Sequence, residues 1–330
     1  MNSFAVVQAR SFADAAAAMS QKSYSLPVLK AGGIDLIDHL KEGLFAPDVL
    51  VDVRRVRTKD PITVSGDEIR IDATATLAEI AAAAELRAAA PVLAQAVENA
   101  ASPQVRNAAT AAGNLLQRPR CWYYRNEQFN CLKKGGPTCF AVEGENRYHA
   151  IFGDGPCHIV HPSNLAPALW VCDGVVHLTG SDRPSVPVRY LFHTPDKGVR
   201  TENVLAPGEV VTHITCKKAP ASGFYAIKEK QSFDWPVVAA SVVLELKGTV
   251  VQSATVCAGA VAPIPWDLRN VSLALRNVDV ADDAALTKAC SVAGRGAKPM
   301  SDNGYKVKLL PVAVKRAVLT AAGRKVEIDA

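Results

Sequence analysis

KAGGIDLIDHL, residues 30–40, sets two glycines between a run that reads as a strand and a run that reads as a helix. The short apolar LPVLK (26–30) has strand character, and IDLIDHLKEG carries its apolar residues at helical spacing and ends at Gly43. A strand, two residues without a Cβ and a helix start together present backbone N–H groups and the positive end of a helix dipole to an anion such as phosphate. Read alone, a Gly-Gly pair is equally a tight turn before a helix. The G-x-G-x-x-G fingerprint is absent, so the chain gives no support to that mode of dinucleotide binding.

Outward from this stretch, the N-terminal third alternates between strand and helix periods. Ser11 and Asp14 predict a capped helix over ADAAAAM, and VLVDV and EIRIDA predict strands. Thr76 and Glu79 form a capping box that opens an Ala-rich helix, which Pro91 stops. A second helix, VLAQAVENA, follows. From Asn107 to about Pro162 the periodicity is lost. A long irregular stretch inside a periodic domain is usually functional or disordered, and the aromatic Trp122, Tyr123 and Tyr124 argue against disorder. Its opening, NAATAAGNLLQ (107–117), is a second candidate phosphate cradle, in which Thr110, Gly113 and Asn114 offer a hydroxyl, a close backbone approach and an amide. Two such places in one domain suit a dinucleotide. Regularity returns with the NLAPALWVC helix and the GVVHLTG strand. After Ser222, the segments FYAIKEKQ, VVAASVVLEL and TVVQSATVCAGAV read as three strands, the middle one apolar enough to be central. Helices around ALTKACSVAG and LLPVAVKRAVLTAAG come next, which predicts a separate α+β unit.

Four of the eight cysteines, Cys121, Cys131, Cys139 and Cys157, fall in the irregular stretch. A chain of 35.0 kDa buries its own cores without disulfide staples. MNSFAVVQARSFADAAAAMS has neither the charged nor the apolar region of an export signal, which leads to an expectation of a reducing, cytoplasmic compartment. No uncharged apolar run is long enough to span a membrane. The cysteine spacings of nine, seven and seventeen intervening residues match neither paired zinc knuckles nor the standard ferredoxin runs. Four thiolates in one loop suit a tetrahedral zinc or a [4Fe-4S] cluster, and His149, His158 and His161 keep a mixed Cys/His zinc site open. The Gly135-Gly136 turn and the basic side chains lean towards iron, since backbone amides and cations offset a cluster's negative charge. Cys172, Cys216, Cys257 and Cys290 lie in periodic segments and read as core residues. The net charge of +5 does not by itself call for nucleic acid. Arg118, Arg120, Arg125, Lys133 and Lys134 are nonetheless concentrated here, as a solvated face or as compensation for something anionic.

KAGGIDL, RNAATAAGNLLQR and HPSNLAPAL, in this order, resemble the flavin-binding medium subunit of the molybdenum hydroxylases, the xanthine dehydrogenase and carbon monoxide dehydrogenase family. FYAIKEKQSFDWPVVAASV resembles that family's C-terminal domain, so the resemblance covers nearly the whole chain. The cysteine insertion resembles the branch with 4-hydroxybenzoyl-CoA reductase and bacterial aldehyde oxidoreductases, whose flavin subunit carries an additional [4Fe-4S] cluster.

The resemblance implies an α+β protein: two N-terminal α/β FAD-binding subdomains of PCMH type, then a three-stranded antiparallel sheet with a helical bundle. Its units would be 1–60, 61–220 with the cysteine-rich insertion at about 117–160, and 221–330. It implies FAD, with Lys30, Ala31, Gly32, Gly33, Ile34, Asp35 and Leu36 along the pyrophosphate and Thr110, Gly113 and Asn114 closing from the second loop. Ile34 stands where the family commonly has Thr, and Asn164 where it often has Asp. Lys228 is a candidate flavin-facing residue, or else an exposed strand lysine. Cys121, Cys131, Cys139 and Cys157 would ligate the cluster. Implied partners are a large molybdenum-cofactor subunit and a small subunit with two [2Fe-2S] clusters, as a heterotrimer or a dimer of heterotrimers. An external acceptor, NAD, ferredoxin or another carrier, would take the electrons, and co-export to the periplasm with a partner stays open. A metal-stabilised nucleic-acid-binding protein and a stand-alone FAD oxidase are the alternative readings.

Overall fold

The computed structural model describes residues 3–230 and 233–326. Three sheets follow one another along the chain. The first is parallel, β1 (Ala5–Gln8), β2 (Pro27–Lys30) and β3 (Val49–Asp52) in the order β1-β3-β2. Its central strand is buried along its whole length, as a parallel strand covered on both faces should be. The predicted cap at its first crossover is present, with Ser11 Oγ accepting from Asp14 N at 3.0 Å.

The second sheet contains β4 (Ile62–Ser65), β5 (Glu68–Asp72), β6 (Val175–Thr179), β7 (Ser185–Pro187) and β8 (Val210–Lys217), antiparallel in the order β4-β5-β8-β6-β7. Between β5 and β6 the chain leaves the sheet for the helices and the cysteine-rich stretch. The Thr76–Glu79 capping box forms as the sequence predicts. The helix after it does not run to Pro91: it breaks at Ala83, which is extended, giving Leu77–Ala82 and Ala84–Ala89. The carbonyl of Ala81 accepts from Arg87 Nη2 at 2.7 Å, so the break leaves this group satisfied. Pro91 then sits at the first position of Pro91–Glu98, where its missing N–H costs nothing.

The third sheet is β9 (Ser222–Lys228), β10 (Pro236–Lys247), β11 (Val250–Gly259) and β12 (Trp266–Asp267), in the order β12-β11-β10-β9. It thus has four strands where three were expected; β12 is two residues long, too short to leave a periodic signal. The expected helices cover one face, Asp283–Cys290 and Tyr305–Ala321, together with Arg269–Ala274. The sheet is joined to the second unit by direct bonds, Val92 N to Ser222 Oγ and Phe224 N to Gln95 Oε1. Cys172, Cys216, Cys257 and Cys290 are core residues, as expected.

The helix Tyr305–Ala321 also grips the cysteine-rich stretch. Lys306 is buried, and its Nζ donates to the carbonyls of Tyr148, His149 and Ala260, each at 3.0 Å. Asn303 Nδ2 adds bonds to the carbonyls of His149 and Ala150. Burial pulls the Lys306 ammonium down from 10.5 to about 7. Between those values the unfolded chain holds a proton that the folded chain has released, so this group makes stability rise with pH across the window. Lys306→Met should flatten that rise in denaturant titrations from pH 7 to 10. It should also cost about 1–3 kcal/mol at pH 8, because buried carbonyls lose their donor. An unchanged slope would place the pH dependence in other groups.

Candidate functional site

A cavity of about 650 Å³ lies where the first unit, the second unit and the β9–β10 connection meet. That is within the range of pockets that enclose a cofactor-sized molecule, roughly 300–1,000 Å³. Leu29, Phe45, Leu77, Val105, Leu116 and Val211 give it apolar walls, and the loop 30–36 forms one polar edge. Gly33 is left-handed, φ 79°, and serves as N-cap of the helix Ile34–Lys41 without a side-chain cap bond. The first-turn amides of that helix have no intrahelical acceptor and border the cavity, a ready anion site.

The second loop fixes the first. A Cβ on Gly32 would lie 1.9 Å from the carbonyl oxygen of Ala108, so the two segments approach as closely as backbone permits. Thr110 Oγ1 accepts from Gly113 N at 3.2 Å, which makes Thr110 the cap of the short helix Ala111–Leu115. The sequence left that helix unseen because it is only five residues long. Buried Asn114 accepts from Ser163 Oγ at 2.6 Å, and the same hydroxyl accepts from Ala166 N at 2.9 Å. Ser163 therefore ties the second loop to the helix Leu165–Val171. Asn164 borders the cavity, with its Nδ2 3.4 Å from the carbonyl of Ala96.

Of the predicted residues, Lys30 to Leu36, Thr110, Gly113, Asn114 and Asn164 all line this one cavity. Lys30 does so as half of an ion pair, its Nζ 3.1 Å from Asp52. Burial would raise the Asp52 carboxyl, but bonds from Arg54 and Lys30 outweigh it and hold it below its usual range. Lys228 is not among the lining residues; its Nζ donates to the carbonyl of Asn99, which is, at 2.6 Å. Arg120 and Trp235 also line the cavity, with the guanidinium 4.8 Å from the indole centroid. Sequence reasoning missed this pair because its members lie far apart in the chain and share no motif.

Asp35 turns its carboxylate towards the segment that precedes Cys121. It accepts from Arg118 N at 2.9 Å and Arg125 Nη2 at 2.7 Å, and Arg120 Nη2 lies at 3.0 Å. Burial opposes the charge, but these donors hold the Asp35 carboxyl below its ordinary value. His39, one turn on, donates from Nδ1 to the Asp35 carbonyl at 2.8 Å. Burial, against the attraction of Asp35, brings His39 down to about 4, so its ring is neutral at pH 7. Glu202 plays the matching part on the other side: buried, it takes Arg118 Nε at 3.0 Å and the Lys133 ammonium. The basic run thus answers carboxylates of its own chain, Asp35 and Glu202 with Asp38 and Glu42 beside them. Arg118, Arg120, Arg125 and Lys133 are turned inward rather than presented as a nucleic-acid face.

Cys121, Cys131, Cys139 and Cys157 all line a second, far smaller cavity of about 10 Å³, with Tyr124, Lys133 and His149 in its wall. His149 Nε2 is 3.2 Å from Cys121 Sγ. Burial pushes the Cys121 thiol up to about 11. Cys157 donates to Cys139, and that bond draws Cys139 down and Cys157 up. The donor set is soft, four sulfurs with no carboxylate in the wall, which fits a thiolate-ligated metal or iron–sulfur centre chemically. The space as it stands is about one water wide, and among the described residues no group of three or more His, Cys, Asp or Glu has the spacing to hold a metal ion. The two cavities share a wall: Arg120 lines the large one and Cys121 the small one.

Comparison with known proteins accords with this geometry. Residues 2–216 match the family described as the FAD binding domain in molybdopterin dehydrogenase, and residues 223–321 match the CO dehydrogenase flavoprotein C-terminal domain. The chain is 31% identical over 291 residues to the FAD-binding subunit of aldehyde oxidoreductase from Escherichia coli, covering 84% of this chain and 86% of that one. It is 26% identical to the carbon monoxide dehydrogenase medium chain of Afipia carboxidovorans, over 98% of both. In fold it matches CO dehydrogenase from Oligotropha carboxidovorans with a TM-score of 0.75 at 23% identity, over 98% of this chain and 99% of that one. Among the described residues no helix is long and apolar enough to cross a membrane.

Gly32→Ala gives the sharpest test of the two-loop cradle. The added methyl has no room against the Ala108 carbonyl, so the loops must part. We expect FAD affinity, followed by quenching of flavin fluorescence, to fall at least ~10-fold, and stability to drop by about 1–3 kcal/mol. Wild-type affinity in this variant would show that the contact does not shape the cavity.

Proposed function

This chain belongs to the family of FAD-binding subunits of molybdopterin dehydrogenases, and from that premise we propose that it relays electrons within a molybdenum-containing hydroxylase. It is an oxidoreductase subunit. In the proposal it does no substrate chemistry: it receives electrons drawn from an organic substrate at molybdenum in a large subunit, by way of [2Fe-2S] clusters in a small one, and delivers them to an external acceptor. The observation that carries this reading is the cavity walled by two loops that touch at Gly32 and Ala108. FAD, when bound, supplies the conversion between two-electron and one-electron transfer.

The residues divide the work of holding it. Backbone amides from Gly32 to Leu36 would face the pyrophosphate, with Asp52 neutralising Lys30 so that the edge is not an open cation. Gly113 and Asn114 close from the other side, Thr110 and Ser163 hold that loop in place, and Asn164 completes the wall. Lys228 supports the wall through Asn99. The three units proposed, 1–60, 61–220 and 221–330, each carry one of the three sheets.

We further propose that Cys121, Cys131, Cys139 and Cys157 ligate an additional [4Fe-4S] cluster. Their convergence on one carboxylate-free space supports it. Buried Lys133 lies in the wall of that space, paired with Glu202. An anaerobic absorption spectrum with iron, zinc and sulfide assays on the purified chain tests both cofactors. We expect flavin bands with about four irons and four sulfides per chain. A flavoprotein with one zinc and no sulfide would reduce the cysteines to a structural metal loop. A colourless protein would remove the electron-transfer reading altogether.

A further inference from the structure

Asp35 is where the loop 30–36 of the large cavity exchanges charge-assisted bonds with the cysteine segment, and its position has a thermodynamic consequence. It is the second residue of the helix whose amides border the large cavity. Its carboxylate takes Arg118 N, Arg120 and Arg125, residues that lie three before, one before and four after Cys121. The same helix adds Asp38, 3.8 Å from Arg120, and its C-cap Glu42 lies 3.4 Å from Arg125. The arginines are themselves braced: Arg125 Nε donates to the carbonyl of Pro119 at 2.8 Å and its Nη2 to that of Arg118 at 3.2 Å. His39 from this helix meets Tyr124, in the wall of the cysteine cavity, at a centroid distance of 5.7 Å.

We propose that Asp35 couples the two cofactor sites, so that filling the cysteine site tightens the binding of FAD. The inference rests on the reading of the cysteines as cluster ligands. The helix Trp122–Arg125 is a single turn, held at its C-terminal end by Arg125 and entered at Cys121. With a cluster bound, Cys121 is fixed and Arg120, its neighbour, is set against Asp35. The carboxylate then holds the first turn of Ile34–Lys41, and with it the amides of the cavity edge, in one place. Without the cluster, Cys121 keeps weak side-chain contacts such as that with His149, and the segment that presents the arginines loses one of its anchors. Both sites therefore bias one rigid element, which is the physical requirement for coupling.

Titration with FAD tests this on the full chain, loaded and after anaerobic removal of iron and sulfide, with metal and sulfide content measured on each sample. In wild type, cluster removal should weaken FAD binding ~10-fold or more, within the usual span of coupling between sites. In Asp35→Asn the loaded and stripped forms should differ less than twofold. Arg125→Gln is the companion variant, since Arg125 does not line the large cavity but bonds the Asp35 carboxylate directly; it too should lose the difference. FAD should also slow iron release to a chelator in wild type and in neither variant. A loaded wild type whose FAD affinity does not respond to stripping overturns the proposal. So do variants that keep the full wild-type difference. Wild type without iron and sulfide overturns the cluster reading itself, and the assay separates that case from the others.

Discussion

The contact between Gly32 and the carbonyl of Ala108 sets the width of the large cavity. The two segments come from different sheets, one leaving the parallel β1-β3-β2 sheet and one following the helices after β5. A backbone carbonyl against a bare Cα is as close as two chains pack, and any side chain there would separate them. Gly33 then supplies the left-handed turn that starts the helix directly at the cavity edge. These adjacent glycines thus do different jobs. The first permits the approach of a neighbour, and the second permits the backbone to turn.

Near the two cavities the chain holds several carboxylates largely out of water. Asp35, Asp52 and Glu202 are each surrounded by Arg or Lys, and each keeps a carboxyl below its ordinary range despite burial. Burying such pairs costs desolvation that their attraction only about repays, so they are poor sources of stability. Breaking one is a different matter, because it strands an uncompensated ion. Their value here is specificity: each pair joins segments that no apolar surface would orient, Lys30 to Asp52 across the first sheet, Asp35 to the cysteine segment, Glu202 to Lys133 and Arg118. Lys306 is built on another principle. Three carbonyls rather than a carboxylate receive it, so its protonation depends on burial alone and its grip on residues 148–149 is open to pH.

What sequence made legible follows from how local each signal is. The Ser11 cap, the Thr76–Glu79 box and the strands VLVDV and EIRIDA are decided within a few residues, and they form as read. The break at Ala83, the helix Ala111–Leu115 and β12 were not legible, because each is short and depends on partners elsewhere in the chain. The Gly-Gly pair marked the cavity but could not distinguish a phosphate edge from a plain turn until Ala108 was seen against it. The basic run misled for the same reason. Composition shows five cations near one acid, whereas their partners Asp35 and Glu202 lie some eighty residues away in sequence.

The shared wall between the two cavities makes the cysteine insertion more than an appendage. Arg120 and Cys121 are consecutive, so a single peptide bond joins the lining of the large cavity to that of the small one. The far side of that wall is stiffened by stacking rather than charge. His39, neutral at pH 7, sits between Phe45 and Tyr124 at 5.6 and 5.7 Å, and Arg118 lies over the Tyr124 ring at 5.0 Å. The C-terminal unit closes the arrangement from two directions, Trp235 on Arg120 and Lys306 on the carbonyl of His149, whose ring meets Cys121. Every unit of the fold therefore places a side chain beside one of the two sites. That placement explains why a chain with three separable sheets keeps so many polar ties between them: the geometry they protect lies at the junctions, not within any single core.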